Sequence, residues 1–140
     1  VLAGVWTTAT SVLPIMYSGQ LVTNYPFEIL LRFSFIFALC VVFDIRDMNT
    51  DLQSRIDTLP NKVGVENSYR LINGSLAVFV LLSIMQYYRF HNSSRLADAL
   101  ITALITLLVV RYLKHRPSEK AYLLLADGVM IVYSLLVLLH

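Results

Sequence analysis

Apolar runs long enough to cross a lipid bilayer as helices constrain this chain more than any other feature. A helix rises about 1.5 Å per residue, so roughly 20 apolar residues cross the hydrocarbon layer. Four runs close to that length are read at 25–43, 69–88, 96–112 and 121–139, and a first one, short for a span, at 1–17. Membrane strands alternate apolar and polar residues over about 10 positions, whereas 29–42 and 100–110 are apolar on nearly every side. Composition agrees: 57% of the residues are hydrophobic, 14% are charged and the mean hydropathy is +0.68. A soluble domain carries about 25% charged residues. The predicted fold is all-α, a polytopic transmembrane helix bundle of five spans with the lipid bilayer as its surroundings.

The formal net charge of +2 supplies no basic field for nucleic acid, which is excluded as a partner. Cys40 is the sole cysteine, so neither an intrachain disulfide nor a cysteine metal cage is available. The first run has no cationic flank of a signal peptide, and the chain is expected to continue upstream. Orientation follows from the cations. Arg46, Arg55, Lys62 and Arg70 lie between the second and third runs, and Arg111, Lys114, Arg116 and Lys120 between the fourth and fifth, against only Arg89 and Arg95 in the other two connections. The positive-inside bias places those two basic connections in the cytoplasm, giving a multi-pass membrane protein with the loop after the second span inside.

That loop breaks from the rest in composition, with Asp44, Asp47, Asp51, Asp57 and Glu66. Asp44, Asp47 and Asp51 stand at i, i+3 and i+7, on one face if the second helix continues past the membrane surface. Carboxylates crowded on one face repel unless cations neutralise them. Oxygen-only ligands suit a hard ion such as Mg²⁺, which takes one or two carboxylates, waters and phosphate oxygens. The plain alternative is a solvated acidic connection. An EF-hand fits worse, because Arg46 stands at its third position and Asn49 where its turn glycine is required.

Asp44-Ile45-Arg46-Asp47-x-x-x-Asp51, followed by Thr58-Leu59-Pro60 and Gly64, resembles the second aspartate-rich motif of the UbiA superfamily of intramembrane prenyltransferases. Trp6, Leu13-Pro14 and Asp127-Gly128 resemble, more weakly, its fifth and ninth helices. The resemblance implies helices five to nine of a nine-helix domain whose N-terminal half is missing, so that these residues alone are not expected to turn over substrate. It implies Mg²⁺-dependent transfer of a prenyl group from an isoprenyl diphosphate to an acceptor, often aromatic, whose identity the residues do not specify. Asp47 and Asp51 would be the Mg²⁺ ligands and Asp44 an additional acid, with Arg46, Arg55 and Lys62 meeting the diphosphate. Two departures stand out: Asp57 replaces the family's usual Lys or Arg before Thr-Leu-Pro, and no first aspartate-rich motif is present. The rivals are a non-enzymatic membrane carrier or structural protein, and a degenerate relative that binds prenyl diphosphate without transfer.

Among the other polar residues, Arg32 is expected to pair within the bundle or snorkel, and Asp127 to contact a neighbouring helix or line a cavity. Asp98 is expected to be solvated. Asn67 is a candidate cap for the third helix, Asn92-Ser93-Ser94 matches a glycosylation sequon, and His91, His115 and His140 are read as surface residues. Tyr69, Phe79, Tyr87 and Tyr88 are the aromatic side chains available to steady an allylic cation, though packing is the commoner role for rings at such depth.

Overall fold

Local chemistry fixes the start of one long helix and the end of another. Pro26 opens α3 (Pro26–Gln53), where its missing N–H costs nothing, and Glu28 sits in the first turn against the positive end of the helix dipole. A short α4 (Leu59–Val63) follows, then α5 (Val65–Phe90). α5 is closed by His91 in the left-handed conformation at φ 52°, whose N–H donates to the Tyr87 carbonyl at 2.7 Å. α6 (Ser93–His115) and α7 (Glu119–Leu138) complete the bundle. The computed structural model describes residues 2–19, 26–53, 58–91, 93–115 and 118–138, which contain no strand. Asn92 and His140 lie outside the described residues.

Three described helices are long and apolar enough to cross a membrane: 26–48 within α3, α5 and α6. The expected all-helical class is therefore found, with three candidate spans in place of a confirmed five. α5 starts at Val65, one turn before the apolar run, and Gly64 occupies the cap position. Asn67 consequently lies inside the helix and donates to the Val63 carbonyl instead of capping.

Along the first half of α6 the packing is inverted relative to a water-soluble bundle. α6 turns Asp98, Ala99, Thr102, Ala103 and Thr106 inward and leaves Leu100, Ile101, Leu104 and Leu108 exposed. Small residues let the neighbouring backbones of α5 and α7 approach closely, while the outward leucines suit lipid. The four long helices pack in a ring, with α3 and α6 each against both α5 and α7. Across it, Phe35, Phe79 and Tyr133 form an aromatic triad, with ring centroids 5.5 Å apart for Phe35 and Phe79 and 4.8 Å for Phe35 and Tyr133.

The amino-terminal segment, α1 (Leu2–Thr7) and α2 (Leu13–Tyr17), is interrupted by a π-helical turn at Thr8–Val12. Thr7, Thr8 and Thr10 each return their hydroxyls to the carbonyl four residues back, at 2.8 Å. The carbonyl of Thr10 would ordinarily accept from the fourth residue onward, which is Pro14, a residue without an N–H. Arg32 of α3 supplies the donor from across the interface, its Nη1 lying 3.0 Å from that oxygen. Arg32→Gln is expected to cost about 1–3 kcal/mol, because it removes both the donor to that carbonyl and the ion pair with Glu28. Pro14→Ala, which restores the local donor, should shrink that cost by about 1 kcal/mol in a double-mutant cycle read by unfolding in mixed micelles.

Candidate functional site

α3 continues without a break to Gln53, so the backbone positions of Asp44, Asp47 and Asp51 do share one helix face. At 3.6 residues per turn they fall within an arc of about 60°. Asp44 and Asp47 are partly buried. Both Asp47 oxygens are held by the adjacent guanidinium, Oδ1 at 2.6 Å from Arg46 Nε and Oδ2 at 2.7 Å from Arg46 Nη2. Arg46 also lies over the Phe43 ring, 5.1 Å from its centroid. The side chain of Asp51, and Arg55 and Asp57 altogether, lie outside the described residues.

The segment after the cluster folds into a defined element. Thr58, in extended conformation, precedes α4; Pro60 is buried at its start; Gly64 ends it at φ 86° and ψ 156°. That backbone region is essentially reserved for glycine. Nothing lies within 4 Å of where a Cβ would stand on Gly64, so the cost of a side chain is conformational and not steric. Gly64→Ala is expected to destabilise the turn by about 1–3 kcal/mol, seen as faster proteolytic nicking beside α4 with the long helices still protected.

α4 packs on both α3 and α5, which brings exposed Lys62 to the same end of the bundle as Asp44 and Asp47. The start of α5 and the end of α6 meet there too. Lys114 Nζ lies 3.0 Å from Glu66 Oε2 and 5.2 Å from the Tyr69 ring centroid, and the buried Tyr69 hydroxyl lies 3.4 Å from that of Tyr122. Sequence reasoning missed this Glu66–Lys114 and Tyr69–Tyr122 pairing. Its only signal was that helices joined by short connections run antiparallel, which sets the first turn of one beside the last turn of the next.

Magnesium suits these donors by type, since Asp44, Asp47 and Asp51 offer carboxylate oxygens from one helix. The described residues contain no grouping of three or more acids, histidines or cysteines arranged to hold a metal. Asp47 would have to exchange its Arg46 contacts for an ion, or share them with it. No protein-family model, curated protein or solved structure matches the chain.

Several expected roles change. Asp98 is not solvated: it is 8% exposed, because it shares the inward stripe of α6 with Thr102 and Thr106. Asp127 is exposed and lines no described cavity. It sits roughly 140° around α7 from inward-facing Tyr122. Arg32 pairs within the bundle, at 2.8 Å from Glu28 Oε1. Phe79 is sealed in the aromatic triad, and Tyr87 meets Tyr88 edge-on, their centroids 5.9 Å apart. His91 and His115 are exposed, as expected.

Proposed function

We propose that this protein is the C-terminal part of a UbiA-type intramembrane prenyltransferase, contributing one of two metal-diphosphate clusters. The observation that carries this reading is an acidic ridge on an unbroken α3, followed directly by a short element that Thr58-Leu59-Pro60 opens and Gly64 closes. Further support is the surrounding of that end by cations, Arg46, Lys62 and Lys114, on three different helices. α7 and the segment containing α1 and α2 would be the remaining two of five spans, with the ridge on the cytoplasmic side and a missing N-terminal half supplying the other cluster.

Asp47 and Asp51, with Asp44 beside them, would hold Mg²⁺, which when bound supplies Lewis-acid neutralisation of a leaving diphosphate. The protein's own residues do the rest. Arg46 and Lys62, with Arg55, would bind the outer diphosphate oxygens, and the apolar helix faces would keep water from the allylic carbon once its C–O bond breaks. The acceptor remains open.

One observation favours a second reading. Both oxygens of Asp47 are already satisfied by Arg46, as expected of a relative that binds isoprenyl diphosphate without transferring it. A radiolabelled isoprenyl diphosphate, given to the intact protein in liposomes with Mg²⁺ or with EDTA, separates the readings. Mg²⁺-dependent prenylated product supports transfer; saturable binding without product supports the relative. Neither binding nor product supports a carrier or structural protein.

A further inference from the structure

Between Phe33 and Val42 every residue of α3 is buried except Phe33, Phe37 and Cys40. Steps of three and four link these positions, and the same steps lead back to exposed Leu30 and onward to Asp44, Asp47 and Asp51. Residues so spaced share one helix face. This face of α3 is therefore an open lane about one side chain wide, apolar from Leu30 to Cys40 and acidic from Asp44 to Asp51. Its apolar part falls wholly within the stretch that is long and apolar enough to cross a membrane.

The lane is recessed. Phe33 is 37% exposed, against 60% for Leu81 on the outer face of α5 and 58% for Leu104 on that of α6. α1, α5 and α7 all pack on α3, and the residues on either side of the lane are buried. Phe33 and Phe37 stack along it, their centroids 6.0 Å and their planes 23° apart, and half-buried Cys40, a small residue, leads to Asp44. So narrow a lane suits one hydrocarbon chain and not the paired chains of a bilayer phospholipid. A second copy fits poorly, because two lanes meeting about an axis normal to the membrane would set Asp44 and Asp47 against their own counterparts. At the other end of the bundle, Glu28, Gln86 and Asp98 help to line a polar cavity of about 330 Å³, but its charged groups have partners within the protein.

We propose that the open lane of α3 seats the isoprenyl chain of the diphosphate held at the acidic ridge, with Cys40 beside its first unit and Phe37 and Phe33 along the rest. The inference rests on the isoprenyl diphosphate reading of Asp44, Asp47 and Asp51, and adds to it the course of the tail. An amphiphile with an anionic head and one apolar tail matches a face that passes from cation-holding carboxylates to aromatic rings. Phe33 lies about 16 Å along the axis from Asp44, and an extended farnesyl chain spans roughly 14 Å at ordinary carbon–carbon bond lengths. Because lipid is as apolar as the lane, the tail gains from close contact with the rings and not from leaving water.

The test uses farnesyl diphosphate analogues carrying a diazirine on the first, second or third isoprene unit, photolysed with the intact protein in liposomes, with Mg²⁺ or with EDTA. Peptides mapped by mass spectrometry are expected to carry crosslinks near Cys40, then Phe37, then Phe33 as the diazirine moves outward. EDTA or excess inorganic diphosphate should abolish them, which casual contact with a membrane-dissolved chain would survive. Cys40→Trp should weaken farnesyl diphosphate binding about tenfold and leave Mg²⁺-dependent binding of inorganic diphosphate unchanged. Mg²⁺-dependent binding with crosslinks on other helices, or on α3 at positions that do not follow the diazirine, would overturn the proposal and leave the isoprenyl diphosphate reading standing. Absence of any Mg²⁺-dependent binding would overturn both. Rapid Cys40–Cys40 disulfide formation under an added oxidant, indifferent to farnesyl diphosphate, would mean that a second copy covers the lane and would overturn the proposal too.

Discussion

Asp47→Asn, made in the intact protein in liposomes, is expected to lower prenyl transfer about 10³-fold, equivalent to ~4 kcal/mol of transition-state stabilisation. Asparagine keeps the shape and one oxygen but loses the negative charge that a divalent ion requires. The fold should survive, because the Asp47 side chain is 45% exposed and an exposed ion pair contributes at most about 1 kcal/mol. The loss should therefore appear in kcat and in the Mg²⁺ concentration for half-maximal rate, with no change in the unfolding midpoint. Asp51→Asn is expected to do the same. Arg46→Gln makes a useful contrast, since it frees both Asp47 oxygens while removing a candidate diphosphate contact. It should raise the KM for isoprenyl diphosphate more than it raises the Mg²⁺ requirement. If Asp47→Asn leaves product formation and Mg²⁺ dependence unchanged, the carboxylates are a solvated helix end and the prenyltransferase reading is lost.

The difference between what was legible in the sequence and what was not lies in periodicity against partnership. Apolar runs located α5, α6, α7 and the start of α3 to within a few residues, while α3 itself runs ten residues past its apolar run to Gln53; crossing a hydrocarbon layer demands length and apolarity that few other structures share. The shared face of Asp44, Asp47 and Asp51 followed from helix geometry alone once α3 was taken past the membrane surface. Asp98 was misjudged because its distance from the helix start was weighed and its phase was not: steps of four from Asp98 reach Thr102 and Thr106, all inward. Partners far apart in sequence stayed hidden. Nothing local connects Arg32 with the Thr10 carbonyl across 22 positions. Yet the clue was present, since Pro14 announces a carbonyl four residues earlier that needs a donor from elsewhere. The polar cavity was likewise invisible, because Glu28, Gln86 and Asp98 converge only after three helices pack.

Phe79→Ala should give the largest loss of stability of any single truncation considered, about 3–5 kcal/mol. Phe79 is 0% exposed, and its ring meets Phe35 of α3 at 5.5 Å and Tyr133 of α7 at 6.2 Å, so one side chain on α5 touches two other helices. In lipid there is no hydrophobic gain in bringing helices together, since acyl chains are as apolar as the core. What holds α3, α5 and α7 at this level is contact, and removing a ring forfeits it on every side. A denaturant titration in mixed micelles measures the effect, with Leu81→Ala as the control. Leu81 is two positions along the same helix but 60% exposed, and its truncation should cost within about 0.5 kcal/mol. The contrast differs from that in soluble proteins only in its cause, because in a bilayer both side chains would be surrounded by apolar matter, one by protein and the other by lipid that refills the space. Equal costs for the two would mean that lipid also reaches Phe79, and that the aromatic triad is not what closes the bundle.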